Sequence, residues 1–176
     1  MTITEEDFLI KACQQPNQWE YHQGQLVACE PASEAHRQIV QNLIDLFSKN
    51  ASTISSLVFI PLVDAYVYPD FVLLPSAPIL YEAPQQASAV LNPALVVEIM
   101  SPQTKQTDTQ LKWEFYQQVP HLEQYLLIDE QRPLLQLFTR NEQGWKLEII
   151  KHSDNTKPFL LHNKEVLLKD IYQQVV

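Results

Sequence analysis

The stretch LVVEIMSPQTKQTDTQLKWEFY, Leu95 to Tyr116, decides how the rest of the chain is read. From Ala94 the run ALVVEIM is almost continuously apolar, broken by one carboxylate, Glu98. Such a run predicts a central strand buried on both faces. Ser101-Pro102 ends it, and a helix is expected from about Thr107 to Val119, stopping before Pro120. Side chains two apart on a strand share a face, so Glu98 points the same way as Val96 and Met100. An ionised carboxylate there is costly unless it is paired or binds a cation. The plainer alternative is a strand that emerges into solvent at its C-terminal end, with Glu98 hanging from it. The helix carries Asp108 and Lys112 one turn apart, so the strand delivers a carboxylate and the helix an amine.

The same signals organise the flanking chain. Thr4 followed by Glu5, Glu6 and Asp7 reads as a helix start, with Phe8, Leu9 and Ala12 turned inward. WEYHQGQLVAC reads as two short strands around Gln23-Gly24. From Ser33 to about Lys49 a helix is expected, since Ile39, Val40, Leu43, Ile44 and Phe47 recur at three- and four-residue spacing. ISSLVFIPLV and PDFVLLP read as strands bounded by proline, and Ser76 to Pro93 as a long connection. QYLLIDE, LLQLFTR and WKLEIIKH predict three more strands, the last two joined around NEQG. LLKDIYQQ reads as a short closing helix. One domain over residues 1–176 is expected, of the α+β (α/β) class, with a mixed sheet and few helices covering it.

Composition narrows the chemistry. The 176 residues carry a net charge of −9 and only two glycines, Gly24 and Gly144. A glycine loop that cradles phosphate cannot be built, which excludes P-loop and dinucleotide-fold readings. The acidity argues against passive nucleic-acid binding through a basic surface, but not against an enzyme that meets phosphate through metal ions. Cys13 and Cys29 have neither metal-ligand nor disulfide-framework spacing. The acidic N-terminus has an apolar run too short for a signal peptide or membrane span, so a soluble cytoplasmic protein is expected, without a membrane partner.

Asp70 follows Pro69 at the head of a second apolar strand, 28 residues before Glu98. Pro-Asp alone is ordinary turn chemistry. Two carboxylates on neighbouring buried strands need a counter-charge, however, and a hard divalent cation such as Mg²⁺ supplies one.

Taken together, PD, VVEIMSP and TDTQLKWEFYQQVPHLEQYLLID resemble the Uma2 family (DUF820), assigned to the PD-(D/E)XK nuclease superfamily. WEYHQGQLV resembles its N-terminal hairpin and EAHRQIVQNLIDLF its first long helix. The resemblance implies a restriction-endonuclease-like mixed β-sheet flanked by helices. It also implies a metal site built from Asp70, Glu98 and the Ile99 backbone carbonyl, taking Mg²⁺ with Mn²⁺ as substitute. The superfamily lysine stands two residues beyond the strand carboxylate, where this chain has Met100. The resemblance therefore implies that the amine has moved to the next helix, as Lys112, with Asp108 and Tyr116 on its stripe. A surface ion pair beside an aromatic core contact is the other reading of that stripe. Lys105 lies in the loop without supporting geometry.

Glu20 matches a position where the family carries glutamate, and either approaches the site or pairs across strands. His36 reads as a histidine at the edge of the core, or, by resemblance, as a contact to phosphate or to the metal's water. His22, His121, His152 and His162 read as surface or turn residues. The expectation is a metal-dependent endonuclease hydrolysing phosphodiester bonds, DNA before RNA. The alternative is a catalytically silent nuclease-fold protein acting as a binding or regulatory partner. A glycosidase-like acid pair fits less well, because that chemistry has no need of the lysine. A homodimer is expected because YLLID and LLQLF are apolar enough to suggest a sticky sheet edge.

Overall fold

The computed structural model describes residues 2–15, 19–47, 57–74, 77–82 and 88–175. In chain order it contains α1 (Glu5–Gln14), β1 (Trp19–His22), β2 (Gln25–Ala28), α2 (Glu34–Phe47), β3 (Val58–Ile60) and β4 (Ala65–Val67). There follow β5 (Phe71–Leu73), β6 (Leu80–Glu82), β7 (Ser88–Val90) and β8 (Leu95–Met100). A π-helical segment, Thr107–Lys112, runs straight into α3 (Trp113–Gln117). The chain closes with β9 (Gln124–Asp129), β10 (Leu134–Asn141), β11 (Gly144–Lys151), β12 (Phe159–Leu161), β13 (Lys164–Val166) and α4 (Leu168–Ile171).

Local chemistry explains the elements the sequence announced. Thr4 caps α1, its hydroxyl accepting from the Asp7 amide at 3.1 Å, and Phe8, Leu9 and Ala12 are buried. Gln23 and Gly24 both have positive φ, 52° and 85°, as a two-residue hairpin turn between β1 and β2 requires. Ile39, Leu43 and Phe47 are buried along α2; the expected extension to Lys49 lies outside the described residues.

Two mixed sheets form among the described residues, rather than the single one expected. One has the order β2-β1-β4-β3-β7-β6 and the other β11-β10-β9-β8-β5. The second sheet packs one face on α2, α4 and the β12–β13 hairpin, through Ile39, Leu43, Val97, Ile99, Leu126 and Leu168. Its other face, with Val96, Met100 and Leu127, packs on α3 and on Val58, Val67 and Val90 of the first sheet. α1 seals the far side of the first sheet around Phe8, Tyr21 and Tyr66. Each large side chain so buried contributes roughly 1.5–3 kcal/mol.

β8 is central: it pairs antiparallel with β5 and parallel with β9, and all six of its residues are buried. The connection expected over Ser76–Pro93 instead carries β6 and β7, which pair with each other. With β4 and the β12–β13 hairpin, these are three-residue strands, too short for alternation to register. α4 is shorter than LLKDIYQQ suggested; the Asn42 side chain pins it to α2 by donating to the Ile171 and Gln173 carbonyls, each at 2.8 Å. YLLID and LLQLF are interior strands of their sheet, so their apolar character is explained by burial and not by an exposed edge. Among the described residues Cys13 and Cys29 are not joined by a disulfide.

Candidate active site

β8 ends where two networks of charge meet. β5 pairs with β8 only as far as Phe71 opposite Val97, so the next outward amide, that of Ile99, has no strand partner. Asp70 Oδ2 accepts it at 2.6 Å. On the other flank the Met100 carbonyl accepts from the Glu130 amide at 3.2 Å. Backbone groups alternate sides along a strand, so the Ile99 carbonyl faces the Asp70 side with its own amide. Asp70 Oδ1 lies 3.0 Å from His36 Nε2, brought in from α2. Burial alone would lower the His36 pKa, but its hydrogen bond to Asp70 and the Asp70 charge raise it above the usual histidine value.

The second network is deeper. Glu98 is 2% exposed and Lys112 8%, which rules out both the solvent-exposed strand end and the surface ion pair. Lys112 Nζ lies 3.0 Å from Glu20 Oε1, 3.2 Å from Glu98 Oε1 and 3.7 Å from Asp108 Oδ1. The Tyr116 hydroxyl donates to the same Glu98 oxygen at 2.7 Å. Both of these hydrogen bonds fall on Oε1, and Oε2 takes neither.

The local structure that makes this possible is the widened π-helical turn, a feature often found at functional sites. It keeps Asp108 and Lys112 on one stripe and leaves the Asp108 carbonyl to accept from the Tyr125 hydroxyl at 3.0 Å. Arg140 closes the end of α3, donating to the Gln117, Val119 and Leu122 carbonyls at 3.1, 2.8 and 2.8 Å.

One lysine among several buried carboxylates cannot neutralise them all, and the groups respond unequally. Burial pushes the Glu98 carboxyl well above its usual range despite Lys112, with Asp108, Asp70 and Glu20 adding to the rise. Burial likewise moves Asp108 up to about 6 against the pull of Lys112. Glu20 goes the other way: burial would raise it, but Lys112, His22 and the Tyr68 amide bring it down to about 2. For Lys112 burial opposes the charge, and Glu20, Glu98, Asp108 and Asp70 outweigh it, so the amine is held well above its usual value. Lys112 is therefore a fixed cation and not a proton acceptor at neutral pH.

Both networks line one cleft of about 620 Å³. Its walls carry six carboxylates, from Glu20, Glu30, Asp70, Glu98, Asp108 and Glu130, against His36 and Lys112. All sequence-predicted site residues are thus brought to this cleft or, for Tyr116, to the carboxylate behind it. Lys105 instead lies 3.9 Å from Asp129 Oδ2. His22 corrects the expectation of a surface residue: it is 6% exposed, and its Nε2 lies 2.9 Å from Glu20 Oε2. The signal was present, since Glu20 and His22 are two apart on a strand and share a face. Ser33, expected only as the start of a helix, closes the cleft rim by donating to Glu130 Oε2 at 2.6 Å.

Among the described residues no three His, Cys, Asp or Glu side chains form a ready cation cage. The donors at the end of β8 are nevertheless hard oxygens: Asp70, Glu98 and the Ile99 carbonyl. That set suits Mg²⁺ or Mn²⁺, which are held by one or two carboxylates with water completing the shell.

Mixed sheets flanked by helices, with carboxylates and a buried lysine at the end of a central strand, define a nuclease-like fold. The Uma2 family model, described as "Putative restriction endonuclease", matches residues 5–164, and the chain belongs to that family. An uncharacterised protein from Synechocystis sp. (strain PCC 6803) is 27% identical over 135 residues, covering 73% of this chain and 75% of the relative. The crystal structure of "a putative nuclease belonging to DUF820" from Anabaena variabilis superposes with a TM-score of 0.68 at 14% identity. That match covers 96% of this chain and 98% of the other, and establishes a shared fold. No helix among the described residues is long and apolar enough to cross a membrane.

Proposed function

We propose that this chain is a metal-dependent endonuclease that hydrolyses phosphodiester bonds, with DNA as substrate ahead of RNA. The observation that carries the reading is Lys112, a buried cation held 3.2 Å from Glu98 on the strand whose next amide binds Asp70. Asp70, Glu98 and the Ile99 carbonyl would hold Mg²⁺ or Mn²⁺. Such an ion would polarise the phosphodiester and supply a nucleophilic water at neutral pH.

The chain's own residues define the remaining work. Lys112, kept protonated by its carboxylate neighbours, donates toward the reacting phosphate and stabilises the charge that grows on it. Glu20 and Tyr116 hold that amine and Glu98 in place, and Asp108 anchors the amine from its own helix. His36 fixes Asp70 from the α2 side. A cleft with six carboxylates repels a polyanion, so cations must offset that charge before nucleic acid can enter. A homodimer is proposed as well, independently of the catalytic reading.

The test is cleavage of circular DNA and of RNA by wild type and Asp70→Asn, with Mg²⁺, with Mn²⁺ and with chelator. Cleavage that needs the ion and is lost in the variant supports the proposal. Equal cleavage by the two proteins, or none by either, removes its basis and leaves the fold as a binding module.

A further inference from the structure

We propose that the protein pairs with a second copy of itself along β11, joining two five-stranded sheets edge to edge. β11 is an outer strand of its sheet among the described residues, and with eight residues it is the longest such edge. The other outer strands of the two mixed sheets, β2, β5 and β6, have four, three and three residues, and β12 and β13 of the separate hairpin have three each. A long unpaired edge is a template for pairing unless something blunts it.

The register within the sheet shows which groups are free. Asn141 and Gly144 pair across a two-residue turn, so residues 144, 146, 148 and 150 turn their backbone groups toward β10. Trp145, Leu147, Ile149 and Lys151 turn theirs outward. The Lys151 amide is already taken, donating to Asp154 Oδ2 at 3.2 Å. The edge open to a partner is therefore Trp145 to Ile149. Leu147 and Ile149 lie on it, each 48% exposed.

Antiparallel pairing about a two-fold axis allows five centres on this edge, and charge selects among them. A centre at Lys146 sets lysine opposite lysine, and one at Glu148 sets glutamate opposite glutamate. A centre at Ile149 needs the Lys151 amide that Asp154 holds. A centre at Trp145 opposes Glu148 to Glu142 of the turn. A centre at Leu147 alone meets no conflict. It places Lys146 opposite the partner's Glu148 twice over, Leu147 opposite Leu147, and Trp145 opposite Ile149.

Lys146 and Glu148 already share a face, Nζ to Oε2 at 3.8 Å, and their side chains are 69% and 46% exposed. They can exchange that partner for its copy across the axis. An edge protected by charge would carry one sign; this one carries a self-complementary pair. The inference stands apart from the nuclease reading, since none of these residues lines the cleft.

The experiment is sedimentation velocity across micromolar concentrations on wild type, Lys146→Glu, Glu148→Lys and the double exchange. Circular dichroism melts check that each variant is folded. Wild type is expected to dimerise, and each single exchange to raise the dissociation constant by about tenfold or more, because two attractive pairs become repulsive. The double exchange should restore the wild-type constant. A wild type that stays monomeric overturns the proposal. So do single exchanges that leave the constant unchanged, or a double exchange that fails to restore it.

Discussion

Lys112 and His36 both neutralise carboxylates of the same cleft, but at different depths. Lys112 sits among Glu20, Glu98 and Asp108 with almost no access to water. His36 and Asp70 meet at the mouth, with side chains 16% and 23% exposed. Depth sets what each charge is worth. In the buried network every charge is felt strongly, and its carboxyls are driven apart, Glu20 down and Glu98 and Asp108 up. At the mouth water screens the pair, so Asp70 can give up His36 to a ligand at little cost. In the proposed reading the deep network holds Glu98 and Lys112 in place for the reaction, and the shallow pair is where a substrate or ion would first exchange.

Removing the charge at each depth should separate these roles. Lys112→Met strands Glu20 and Glu98 without their cation, and should cost roughly 3–5 kcal/mol of stability by urea denaturation. It should also reduce any cleavage by about 10²–10³-fold. Asp70→Asn should abolish cleavage while shifting stability by about 1 kcal/mol or less. If the two variants lose stability equally, depth is not what distinguishes the networks.

pH sharpens the comparison inside the deep network, because two of its acids shift in opposite directions. Glu20 falls to about 2, so its ion pairing stabilises the fold above its usual 4.5 and that contribution fades as pH drops from 4.5 toward 2. Glu20→Gln should therefore destabilise at pH 7 by roughly 2–3 kcal/mol, with the gap to wild type closing in acid. Asp108 rises to about 6, so its ionisation destabilises the fold above that pH and the cost vanishes below the usual 3.8. Asp108→Asn should then be the more stable protein at pH 8, by roughly 1–3 kcal/mol, and match wild type near pH 4. Thermal melts of each variant beside wild type from pH 8 down toward pH 2 check both. Gains of the same sign for Glu20→Gln and Asp108→Asn would mean that Lys112 does not divide its charge as the geometry implies.

Legibility in the sequence followed the length and regularity of the signal. α1 was marked by Thr4 and its acidic turn, α2 by five apolar residues at helical spacing, and β8 by an unbroken apolar run. Strands of three residues gave no alternation to read; β3 and β5 showed only through longer apolar runs bounded by proline, and β4, β6, β7, β12 and β13 were invisible, and with them the division into two sheets. Within the site, Glu98 betrayed itself because a carboxylate in a buried strand needs a reason. Apart from the family resemblance, which left Glu20 either approaching the site or pairing across strands, its convergence with Lys112 was not legible, since it depends on a hairpin and a helix 92 residues apart meeting over β8. His22 carries no metal-ligand spacing to mark it, because its partner is a carboxylate two residues away. The π-helical turn left no mark at all: nothing in TDTQLK distinguishes it from an ordinary helical turn.

Mn²⁺ titration by calorimetry of wild type, Asp70→Asn and Glu98→Gln tests most directly whether the end of β8 is a metal site. Wild type is expected to bind the ion, and each variant, still folded, to bind at least about tenfold more weakly as a hard-oxygen donor is removed. Three proteins with the same affinity would contradict that expectation.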